Sequence, residues 1–71
     1  MPRKLREVRR DYVQAGFIEH RSKGKGSHRK YIHPLGVVAT VSGKDSADAH
    51  AYQESQLKQK LAEVQNRKER Q

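Results

Sequence analysis

One histidine in this sequence stands among residues that chemistry can use. His28 follows Ser22-Lys23-Gly24-Lys25-Gly26-Ser27 and precedes Arg29-Lys30. From Arg21 to Lys30 the chain carries five Lys or Arg, two glycines, two serines and no acid. An imidazole has a reference pKa of about 6.5, so it accepts and returns protons near neutrality. Lys23, Lys25, Arg29 and Lys30 can neutralise phosphates beside it, and the glycine amides can come close to developing negative charge. The same residues also suit a plainer role, with His28 as one phosphate contact among several. Residue type and spacing leave both readings open.

The other reactive side chains have weaker claims. His33 precedes Pro34 on the expected core side of a strand and reads as structural, bonded to backbone. His20 and His50 stand outside the basic stretch. His20, His28 and His33 lack the spacing of a zinc site, and no cysteine assists them, so neither metal nor cofactor is expected. Gly24-Lys25-Gly26 is not a nucleotide-cradling loop, since no GxxxxGK[ST] is present. Ser27 and Ser42 have no convincing triad.

Composition narrows the partner. The 71 residues make one domain, and with 32% of them apolar its core must be thin. The absence of cysteine removes disulfides, thiolate ligands and thiol nucleophiles, and fits a reducing, cytoplasmic setting. Met1-Pro2-Arg3-Lys4 leads into an amphipathic stretch rather than an apolar one, so no secretory signal is read there. The longest apolar run, Val37-Val38-Ala39, is too short for a bilayer. Sixteen Lys and Arg against eight Asp and Glu give a net charge of +8, which points to a polyanion, with nucleic acid foremost.

The elements that must position His28 follow from periodicity. Leu5, Val8, Tyr12 and Val13 share a helical face over residues 3–15, with Lys4, Arg6, Arg9 and Arg10 mostly on the other side and Gly16 just past the end. Residues 17–21 read as a strand, 22–27 as a loop, 28–33 as a second strand stopped by Pro34, and 37–42 as a β-branched third strand. Residues 43–51 form a polar connection. A second helix is expected from about 51 to 66 on Leu57, Leu61 and Val64, widened by Tyr52 or Ala62. Residues 67–71 are expected to fray as a basic tail beyond a single domain of 1–66.

The fold class is therefore α+β: helix, three-stranded antiparallel sheet, helix, with both helices on one sheet face. Alternation in the second strand puts Arg29, Tyr31 and His33 on the helix side and His28, Lys30 and Ile32 on the open side. The apolar Ile32 fits that side only if something covers it, and the 43–51 connection is the expected cover.

Lys25-Gly26-Ser27-His28, the aromatic Tyr31, then His33-Pro34 and Gly36, resemble the HicA family of toxins. So do Ala15-Gly16-Phe17 at the end of the first helix, the Ala39-Thr40-Val41 strand and Gly43-Lys44-Asp45. The likeness covers roughly residues 3–65. Tyr52-Gln53-Glu54 departs from it, since the family's last helix more commonly starts at a Gly-Thr-Leu-like segment. The resemblance implies a fold similar to double-stranded-RNA-binding domains and ribosome-independent cleavage of mRNA. It makes His28 the catalytic residue and a HicB-type antitoxin the partner that covers the site. Lys23, Lys25, Gly26, Ser27, Arg29 and Lys30 are then the RNA-binding residues. The alternatives are a non-catalytic RNA-binding module of the same shape, and a subunit whose charge only complements an acidic protein.

Overall fold

A computed structural model describes residues 3–21, without the Arg21 side chain, and 28–70. The loop expected over 22–27 lies outside the described residues.

Helix α1, Leu5–Gln14, forms because Leu5, Val8 and Tyr12 recur three and four apart and all three are buried. Complete burial of an aliphatic side chain such as Leu5 or Val8 contributes about 1.5–3 kcal/mol. The backbone amide of Lys4 donates to Glu7 Oε2 at 3.0 Å. The next orphan amides are satisfied from far along the chain: Leu5 donates to the Ala47 carbonyl at 2.9 Å and Arg6 to that of Asp45 at 3.2 Å. The polar 43–49 connection is thus the N-terminal support of α1. Gly43, at φ +116°, lies so close to Leu5 that a Cβ there would sit 2.5 Å from Leu5 Cδ1.

At its other end α1 closes in a Schellman turn. Gly16 takes φ +104°, its amide donates to Val13 O at 3.0 Å, and that of Phe17 donates to Tyr12 O at 3.0 Å. The accompanying apolar contact is the edge of Phe17 against Tyr12, with centroids 5.1 Å apart.

The helix differs from its sequence pattern in two places. Val13, expected in the core, is 51% exposed, whereas Arg9, expected outside, is only 4% exposed. On a 100° wheel Arg9 lies nearer than Val13 to the centre of the Leu5–Val8–Tyr12 stripe. Arg9 tolerates that position because it is paired: its guanidinium bonds Asp45 and donates to the Gly43 carbonyl at 2.6 Å.

Strands β1 (Ile18–Arg21), β2 (Arg29–Ile32) and β3 (Val38–Val41) form one antiparallel sheet in the order β1-β2-β3. Ile18, Ile32 and Val38 stand in one cross-strand row, His20, Lys30 and Thr40 in the next on the same face. Tyr31, Ala39 and Val41 point the other way and are buried against α1 and α2 in a single core. Ile32 is half-buried, and its flanks are Ile18 and Val38. The 43–49 connection does not cover it, contrary to the sequence expectation. That connection lies at the opposite end of β2, where Asp45 meets Arg29.

Helix α2, Ala51–Glu69, outruns its expected end at Asn66. Its last turns are tied down by Arg67, which donates to the Leu35 carbonyl at 2.7 Å and to Glu63 at 2.9 Å. The helix thus includes residues 67–69 of the expected tail. Leu57 and Val64 are buried and Leu61 half-buried, as the spacing implied. Tyr52, at 63% exposed, and Ala62, also exposed, do not widen that stripe. Gln53 does, four residues before Leu57 and 4% exposed, donating to the Ser42 carbonyl at 3.0 Å and accepting from the His50 amide at 2.7 Å.

Candidate nucleic-acid interface

His28 immediately precedes β2 and is exposed. Lys30, two residues on, is exposed on the open sheet face, with His20 and Thr40 as its cross-strand neighbours. Arg29 goes the other way. It is half-buried on the helix side, 3.1 Å from Glu19 and 3.7 Å from Asp45. The two residues, both expected to bind RNA, thus lie on opposite faces of β2, as the alternation of the strand implies. Lys23, Lys25, Gly26 and Ser27 lie outside the described residues.

His33 is buried and structural. Its Nδ1 accepts from the Leu35 amide at 3.0 Å, which leaves the proton of the neutral ring on Nε2. Its backbone closes the turn into β3 by accepting from Gly36 at 2.8 Å and donating to Val37 O at 2.8 Å. The ring packs edge-on to Phe17, with centroids 5.2 Å apart.

Beside β2, on the helix side, lies an open groove of about 270 Å³. Arg6, Arg9 and Arg10 of α1 line one wall, and Arg29 and Tyr31 of β2 the other, with Val13 at the rim. Two carboxylates share the space. Glu19 accepts from Arg29 at 3.1 Å and from the Tyr31 hydroxyl at 2.9 Å, and Asp45 pairs with Arg9. Sequence reasoning assigned the α1 arginines to the outer face and gave them no role. The available signal was their i, i+3, i+4 spacing, which stacks Arg6, Arg9 and Arg10 over one another.

The groove and His28 belong to the same end of the molecule. Arg29 and Val41 are paired there, Gly43 and Asp45 follow Val41, and the first turn of α1 binds that segment. This end presents the exposed His28, the ammonium of Lys30 on the open side of β2 and guanidinium on the other side. Among the described residues, no helix is long and apolar enough to cross a membrane. No family model matches the chain, and no curated protein matches it in sequence.

Proposed function

We propose that the chain is a metal-independent endoribonuclease that cuts mRNA with His28, a cytoplasmic toxin of the HicA type held in check by a HicB-type antitoxin. The observation that carries this reading is the exposure of His28 at the end of β2, beside Lys30 and next in the chain to a residue lining a cationic groove.

RNA brings its own nucleophile, so the protein has little covalent chemistry to supply. His28 takes the proton of the 2′-hydroxyl as its oxygen attacks the adjacent phosphorus. The bond from phosphorus to the 5′-oxygen breaks, and that oxygen is protonated by the imidazolium just formed or by water. The products are a 2′,3′-cyclic phosphate and a 5′-hydroxyl. A positioned acid or base contributes about 10²–10⁴-fold to such a step. Lys30 offsets charge on the crowded phosphorus, as would Lys23 and Lys25. DNA lacks the attacking hydroxyl and is inert.

The test is incubation of the purified protein with end-labelled RNA, wild type beside His28→Ala, with the product ends analysed. The proposal expects cyclic phosphate ends from wild type and at least a 100-fold slower reaction from the variant. Undiminished cleavage by His28→Ala ends it. RNA bound but left intact by wild type favours a non-catalytic RNA-binding module instead.

A further inference from the structure

We infer that the groove between α1 and β2 is a second phosphate-binding site, in which Arg6 and Arg10, facing Arg29, hold the backbone of the RNA strand whose ribose reaches His28.

The four guanidinium groups of the groove are not alike. Arg9 is structural, tied to Asp45 and to the Gly43 carbonyl, and Arg29 is tied to Glu19. Among the described residues, the side chains of Arg6 and Arg10 make no ion pair and no hydrogen bond. Both are exposed.

Their placement works against the helix. Arg6 is the second residue of α1, beside the positive end of the helix dipole. Arg10 lies four residues on, where like charges repel. Neither cation is offset by an ion pair or hydrogen bond among the described residues, and positions that break local rules are where functional sites are expected.

The groove's chemistry selects the ligand. Four guanidinium groups outnumber two carboxylates, and both carboxylates are already engaged by Arg9, Arg29 and Tyr31. An incoming anion therefore meets the planar, fork-shaped donors of Arg6 and Arg10, which match phosphate oxygens. Val13 at the rim offers an alkyl surface to the sugar. Arg29 is the chain neighbour of His28, so one strand crossing the end of β2 can reach both places.

The inference rests on the RNA-binding part of the proposed function and not on the cleavage step, so its test uses a probe that cannot be cut. Binding of a short fluorescein-labelled 2′-O-methyl RNA is measured by anisotropy across a salt series. Wild type is compared with Arg6→Gln/Arg10→Gln and with a charge-matched control, Lys68→Gln/Arg70→Gln. The control cations lie at the far end of α2, beyond the Arg67–Leu35 contact.

Loss of two phosphate contacts lowers the salt slope by about 1.4, equivalent to about 25-fold in affinity at about 0.1 M salt. The groove variant should show that loss, and the control several-fold less. The groove variant should also melt no lower than wild type, which separates lost binding from lost folding. Equal losses in both variants, no loss in either, or no RNA binding by wild type overturns the inference. Cleavage of ordinary RNA by His28→Ala would remove the catalytic reading and leave the groove standing.

Discussion

The rings of Tyr12 and Tyr31 stack across the α1–sheet contact, with centroids 5.3 Å apart and planes 15° from parallel. Their hydroxyls have different fates. That of Tyr31 donates to Glu19 Oε1 at 2.9 Å, whereas that of Tyr12 is buried and has no hydrogen-bond partner among the described residues. An unpaired buried hydroxyl costs about 1–3 kcal/mol, and a hydrogen bond to a charged group contributes about 1.5–3 kcal/mol. Tyr12→Phe should therefore leave stability unchanged or raise it by up to about 2 kcal/mol, and Tyr31→Phe should lower it by about 1–2 kcal/mol. Urea midpoints of the two variants check this. A clear loss in Tyr12→Phe would mean that the hydroxyl has a favourable role in the fold.

The same pair sets an alkaline limit. Burial pushes both phenols up to about 12, helped at Tyr31 by the bond to Glu19. In the unfolded chain a tyrosine ionises near its ordinary value of about 10. The stability this difference contributes is fully present below about pH 10 and is lost as pH rises toward about 12. Circular dichroism should show unfolding set in across that window, and the double variant Tyr12→Phe/Tyr31→Phe should show a flatter alkaline limb.

Acid acts on a different contact. Arg3 ties the helices together, donating to Glu54 at 3.1 and 2.6 Å and to Asp11 at 2.7 Å. The Arg3 guanidinium holds the Glu54 carboxyl below the usual carboxylate range. A depressed folded pKa gives stability that is present above the unfolded value, about 4.3 for glutamate, and lost as pH falls through the folded one. Glu54→Gln should be less stable than wild type at neutral pH, and its stability should fall less steeply below about pH 4. Melting temperatures measured across the acid range read both effects. An unchanged acid limb would show that the Arg3 bridge contributes nothing.

Gly16 carries two separable constraints. Its φ of +104° strains any L side chain, and a Cβ there would lie 3.0 Å from Nε2 of His33, whose ring is fixed by the Leu35 amide. Gly16→Ala should cost about 1–3 kcal/mol. In a His33→Ala background the steric part disappears and only the backbone part remains, so the cost of Gly16→Ala should fall there. A double-mutant cycle in urea measures the difference, and equal costs in the two backgrounds would leave backbone strain as the whole effect.

Much of this architecture is local and could be read from the chain. The spacing of Leu5, Val8 and Tyr12, the glycine after α1, the alternation that separates Tyr31 from Lys30 and the Leu57–Leu61–Val64 stripe are each contained in a few neighbouring residues. They fix the order helix, three strands, helix, and they place His28 just before an exposed lysine on the open side of β2.

What the chain alone left undecided depends on partners far along it. Arg9 is buried because Asp45 and Gly43 stand 36 and 34 residues away in sequence. Gln53 joins the core because the Ser42 carbonyl needs a donor, and α2 continues past Asn66 because Arg67 reaches Leu35. The arginine groove exists only where α1 crosses β2. A charged or amide side chain goes inside when something there pairs with it, and tertiary folding decides what is there. Apolar periodicity carries no such condition, which is why most of the core was legible, Val13 and Tyr52 apart, and the groove was not.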